Sequence, residues 1–139
     1  MSMESVGTTS PSVLIVEDDV QMRALLKDFL QRQGYRTIER ESGVGLTTLV
    51  ESEPIDAVVL DKEMPGINGL DLLSFLHRRL PDVPVVFVTA FGGRDVAAEA
   101  LRRGAYRYFE KPFRVAAVVD AIGEAMREPP RVGHAATRP

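Results

Sequence analysis

Two stretches of the chain, Ala57-Val58-Val59-Leu60 and Val85-Val86-Phe87-Val88, are apolar without alternation. A strand with one wet face alternates, so runs of this kind and length belong to strands covered on both faces, in the middle of a parallel sheet. Three further short runs, Val13–Val16, Tyr35–Ile38 and Arg107–Phe109, accompany the fuller spans Ala57–Asp61 and Val85–Thr89, and segments of helical period separate the five. Strands alternating with helices predict an α/β fold, a three-layer sandwich with helices on both faces of the sheet.

The first helix is the clearest. Met22, Leu25, Leu26, Phe29 and Leu30 fall at i, i+3, i+4, i+7 and i+8, Asp19 stands at the N-cap and Gly34 at the stop. Val115, Val118, Val119, Ile122 and Met126 repeat the pattern in the last helix, and Leu70, Leu73 and Leu76 do so behind Gly69. Segments Gly43–Ser52 and Arg94–Arg103 complete five βα units. The second of these is rich in alanine and should bury the least apolar area, which makes it the most mobile helix. Residues 1–11 are small and polar and read as disordered, 12–127 as one domain, and the proline-containing 128–139 as a linker or tail.

Composition narrows the function. With 17 Lys and Arg against 20 Asp and Glu, the net charge of -3 argues against direct nucleic-acid binding. The chain has no cysteine, which excludes disulfides, thiolate metal sites and thiol catalysis. Its apolar runs are too short to span a bilayer, and the expectation is a cytoplasmic protein with no membrane partner.

Ligands of open parallel sheets collect at the carboxyl ends of the strands. Here those ends carry Glu17-Asp18-Asp19, Asp61, Thr89 and, after the fifth strand, Lys111-Pro112. One such Asp is ordinarily a turn former or a cap. Several together repel by about 4 kcal/mol per pair at about 4 Å and an effective dielectric near 20, and a divalent cation relieves the conflict. Oxygen-only ligands in small number suit Mg²⁺, which keeps waters and a phosphate in its shell. Such a cation beside a carboxylate, a hydroxyl and an ammonium is equipped for phosphoryl transfer. Asp61 is the candidate nucleophile, and Thr89 and Lys111 would hold the phosphoryl oxygens.

These residues, with Met64-Pro65-Gly66, Gly69, Val88-Thr89-Ala90, Gly104-Ala105, Tyr108 and Lys111-Pro112-Phe113, resemble the receiver domain of two-component response regulators over about Val13 to Met126. The resemblance implies a flavodoxin-like parallel sheet of order 2-1-3-4-5 and transfer of a phosphoryl group to Asp61 from a sensor histidine kinase or a phosphotransfer protein, catalysed by the domain itself. It makes Asp18 similar to the direct Mg²⁺ ligand and Glu17 to its acidic companion. Arg23 fixes that register, Asp19 being the helix cap or the alternative ligand. Glu63 would give its backbone carbonyl to the metal while its side chain faces the site entrance. Thr89 would shift toward the phosphoryl group and Tyr108 move inward, altering the surface of the fourth helix, fifth strand and fifth helix, where a homodimer could form. The Lys111-Pro112 bond is expected to be cis. Phe91 would screen the phosphoryl group, and His77 would be a solvated helix residue.

Three other classes of protein fit the pattern less well. A haloacid-dehalogenase-type enzyme would carry its acidic pair after the first strand, not at Asp61-Lys62-Glu63. A flavin binder of this fold needs a phosphate loop where Glu17-Asp18-Asp19 stands. A pseudo-receiver, a binding module without phosphorylation, would have no need of the full set of acids, Thr89 and Lys111. No effector motif follows Met126, so the output is that of a single-domain regulator or of a longer protein.

Overall fold

The computed structural model describes residues 10–127. Twelve elements follow one another: β1 (Ser12–Val16), α1 (Val20–Arg32), β2 (Arg36–Arg40), α2 (Leu46–Ser52), β3 (Ala57–Asp61), β4 (Glu63–Met64), β5 (Ile67–Asn68), α3 (Gly69–Arg79), β6 (Val85–Thr89), α4 (Arg94–Arg102), β7 (Arg107–Glu110) and α5 (Val115–Arg127). Five strands form one parallel sheet in the order β2-β1-β3-β6-β7. Leaving the small β4–β5 hairpin out of the count, this is the expected 2-1-3-4-5. The doubly wound α/β sandwich is therefore the fold.

Alternate residues of the central strands feed two cores. Val58 and Leu60 of β3 join Leu14, Phe87, Leu46, Leu73 and Leu76 on the α2, α3 and α4 side. Ala57 and Val59 join Ile15, Val86, Leu26, Leu30, Val118 and Ile122 on the α1 and α5 side. Every residue of β1, β3 and β6 is buried, as non-alternating strands require.

Departures from the sequence reading have local causes. β2 extends to Glu39 and Arg40, which pair with Ile15 and Val16. As a half-exposed edge strand it can end in charges, so the apolar run understated it. Helix α2 starts at Leu46 and not at Gly43, because its N-cap Gly45 holds a left-handed φ of 79°. Leu25 is 46% exposed and does not belong to the buried stripe of α1, whose buried residues are Leu26 and Leu30. His77 is half-buried and not fully solvated, its ring packed over Gly104. Of α4 only Ala100 is buried, in line with its poor apolar content. The β4–β5 hairpin, joined by Pro65-Gly66, was not expected from the sequence, since two-residue strands have no period.

The tail 128–139 lies outside the described residues, as does all of the segment 1–11 except Ser10 and Pro11. Both of these are exposed, and the Pro11 carbonyl accepts a hydrogen bond from Arg36 N at 2.8 Å.

Candidate functional site

Because the strands are parallel, the carboxyl ends of β1, β3, β6 and β7 share one edge. The turn after β1 is pinned on both sides: Glu17 N donates to the Arg40 carbonyl at 3.0 Å, and the Arg23 guanidinium donates to the Glu17 carbonyl at 2.7 Å. Arg23 also pairs with Glu39 at 3.4 Å. Asp19 caps α1 by accepting from Met22 N at 3.0 Å, and its own N–H donates to Glu17 Oε2 at 3.0 Å. Glu17 is fully buried, whereas its neighbour Asp18 is exposed.

Asp61 closes β3 and is 1% exposed. Its Oδ1 accepts from Glu63 N at 3.3 Å and lies 3.4 Å from Lys111 Nζ. The same ammonium is 3.2 Å from Glu17 Oε1, so one lysine stands between two buried carboxylates. Lys111 is set there by its N–H, which donates to the Thr89 carbonyl at 2.7 Å, and the Lys111-Pro112 bond is cis.

Burial, and after it the charge of Glu17, push the Asp61 carboxyl up from its ordinary 3.8 to about 7, against the opposing pull of Lys111. Burial alone would lower Lys111, but Glu17 and Asp61 outweigh it and raise the ammonium above its ordinary value. Two buried oxygens, Glu17 Oε1 and Asp61 Oδ2, accept no hydrogen bond from any described residue. Glu17, Asp18 and Asp61 each offer a carboxylate oxygen within 4.8 Å of the others. An all-oxygen donor set with unsatisfied buried members fits a hard cation.

Glu63 lies outside that cluster. Its carboxylate turns to β6, where Oε1 accepts from Ala90 N at 2.8 Å and Oε2 accepts from the Thr89 hydroxyl. Burial would raise Glu63, yet the bonds from Thr89 and Ala90 and the charge of Lys62 outweigh it and lower the carboxyl. The Thr89 hydroxyl is buried and also accepts from Phe91 N at 3.0 Å. Tyr108 packs against the α3–α4 core with its hydroxyl over the β6–α4 loop, accepting from Gly93 N at 3.2 Å and donating to Glu110 at 3.1 Å. Phe91, expected to screen the phosphoryl group, is 73% exposed.

A groove of about 680 Å³, lined by Asp18, Lys62, Glu63, Met64, Pro65 and Leu70 among others, opens beside the acids. Its floor depends on Gly69: a β-carbon there would stand 2.5 Å from Lys62 Cα, so only glycine lets α3 begin against the backbone that follows Asp61. The Glu63 side chain, expected at the site entrance, instead meets Thr89 and Ala90, and Glu110, which no motif singles out, holds Gly93 and Tyr108. Charged residues at strand ends give no signal of which neighbour they will meet.

Fold and site together define an α/β domain whose strand ends set a lysine against an acidic cluster able to hold a metal ion, with a buried threonine hydroxyl at the end of the neighbouring strand. The chain belongs to the response regulator receiver domain family, whose model matches residues 13–123. It is 37% identical over 110 residues to the response regulator protein FleR of Pseudomonas aeruginosa, an alignment covering 79% of this chain and 23% of FleR, so it spans about a quarter of that relative. Sporulation initiation phosphotransferase F of Bacillus subtilis is 32% identical over 110 residues, with 79% of this chain and 89% of that protein covered. The beryllofluoride-activated NtrC4 receiver domain dimer superposes with a TM-score of 0.77 at 29% identity, covering 83% of this chain and 95% of that one. The chain is thus a receiver domain of the two-component type, a family that works with kinases or phosphotransfer proteins. Among the described residues no helix is long and apolar enough to cross a membrane.

Proposed function

We propose that Asp61 is the phosphoacceptor of this receiver domain, taking a phosphoryl group from a sensor histidine kinase or a phosphotransfer protein. The observation that carries the reading is the Asp61 carboxylate itself. It is almost wholly buried, flanked by Lys111 and Glu17, and retains an oxygen that accepts no hydrogen bond from a described residue. A structural aspartate in such a place would be expected to have its partners.

Glu17, Asp18 and Asp61, with the backbone carbonyl of Glu63, would hold a Mg²⁺ ion, which supplies positive charge against the carboxylates and the incoming phosphoryl oxygens. The rest of the chemistry belongs to the chain. An Asp61 oxygen attacks phosphorus, a new O–P bond forms, and the bond to the donor breaks with its electron pair leaving on the donor. Lys111, already 3.4 Å from Asp61 Oδ1, is within short reach of a phosphoryl oxygen on that carboxylate. Thr89 donates its hydroxyl to another phosphoryl oxygen, and Tyr108 moves inward behind it. Phosphorylation acts by favouring the state in which those contacts are made.

The altered surface comprises α4, β7 and α5, and a homodimer through it is part of this reading, in keeping with the activated receiver dimer of NtrC4. A cytoplasmic location belongs to it as well, as for receiver domains generally. The test is the intact mass of the protein after incubation with acetyl phosphate and Mg²⁺. One phosphoryl adduct is expected, absent without Mg²⁺ and absent in Asp61→Asn. No adduct on the unmodified chain would overturn the reading and leave a binding module that uses the fold alone.

A further inference from the structure

We propose that Glu63 is a positioning residue of the switch, its carboxylate holding Thr89 and the β6–α4 loop in the resting arrangement until the loop is released. The inference rests on the reading of Asp61 as phosphoacceptor and adds to it the group that opposes the switch.

The carboxylate is fully engaged. One oxygen accepts the Thr89 hydroxyl proton, and the other accepts Ala90 N–H at 2.8 Å. The root of the side chain is fixed, since Glu63 pairs with Asn68 across the β4–β5 hairpin and its N–H donates to Asp61 Oδ1 at 3.3 Å. Lys62 Nζ, 3.5 Å away, lends the carboxylate a partial counter-charge. A threonine has one hydroxyl proton, and Thr89 has committed it to Glu63. That proton cannot serve a phosphoryl oxygen on Asp61 at the same time, so the resting bond and the switched bond exclude each other.

The loop is tethered at both ends. Beyond Ala90, Phe91 N donates to the Thr89 hydroxyl oxygen, and Gly93 N donates to both the Tyr108 hydroxyl and Glu110. Movement of Thr89 therefore requires Glu63 to lose the hydroxyl and the Ala90 amide, and Tyr108 can follow only when Gly93 is free to shift. Bonds to an ionised acceptor are the stronger kind, which gives this contact weight in the balance of the two states.

The experiment compares the unmodified chain with Glu63→Gln and Glu63→Ala by amide NMR, first without ligand and then in a titration with beryllofluoride and Mg²⁺. In the unliganded Ala variant the Ala90 amide resonance should move upfield and the Ala90 to Gly93 amides should broaden. The beryllofluoride midpoint should fall by roughly tenfold. Gln has one acceptor oxygen in place of two and should lie between. An unmoved Ala90 amide, or an unchanged midpoint in the Ala variant, overturns the proposal. So do equal effects of Gln and Ala, because both remove the same charge and equality would mean that charge alone matters. If the unmodified chain binds no beryllofluoride, the phosphoacceptor reading fails, and the latch is decided by the unliganded amides alone.

Discussion

The Tyr108 hydroxyl occupies the space that a side chain at residue 92 would need: a β-carbon on Gly92 would stand 1.8 Å from it. The outer position of the tyrosine thus depends on a glycine sixteen residues earlier, in the loop that leads from Thr89 into α4. Gly92→Ala should drive the hydroxyl off Gly93 and Glu110 and favour the inner ring position. The obstacle is the tip of a rotatable side chain, so the stability cost should stay below about 1 kcal/mol. Tyr108 ring resonances in the unliganded variant check this, and resonances matching those of the unsubstituted protein would contradict it.

Without metal, the protein should be more stable at pH 5 than at pH 8. The folded-state value of Asp61, about 7, is above its ordinary 3.8, so the folded chain binds that proton more tightly than the unfolded one. The resulting stabilisation is complete below the ordinary value and is lost as pH rises through about 7, a change on the order of 2 kcal/mol between pH 5 and 8. Urea denaturation of the metal-free protein measures it. Asp61→Asn should abolish the Asp61 part of the slope, and Mg²⁺ should restore stability at pH 8.

Lys111→Met should leave Glu17 and Asp61 buried without their shared counter-charge. A loss on the order of 1–3 kcal/mol is expected at pH 8, less at pH 5 where Asp61 is protonated. Chemical denaturation at the two pH values tests this, and an equal loss at both would count against it.

Gly69→Ala should destabilise by about 2 kcal/mol, because its β-carbon meets the Lys62 backbone at 2.5 and 2.6 Å and backbone cannot rotate away. Lys62 directly follows Asp61, so the phosphorylation rate with acetyl phosphate should fall too. A variant with unchanged melting temperature and rate would show that the hairpin yields freely.

Much of this protein was legible before folding. The uniform apolar runs of β3 and β6 marked the sheet centre, because a strand covered on both faces has no polar register to keep. The acids and Lys111 could be assigned to one edge because parallel strands end on the same side whatever their order. Asp19 as the cap of α1 followed from a side chain reaching three residues ahead, a local bond that sequence spacing captures.

The remainder needed the chain to close on itself. Lys111 reaches Glu17 across 94 positions and Thr89 reaches Glu63 across 26, and no spacing encodes such meetings. Leu25 lies outside the core while its neighbour Leu26 is wholly inside, a choice made by the packing of α1 and not by its period. The identities of the reactive groups were thus fixed by local sequence. The elevated carboxyl of Asp61 and the engagement of Thr89 with Glu63 arise only in the folded chain, because burial and through-space partners act over distances that tertiary packing alone sets.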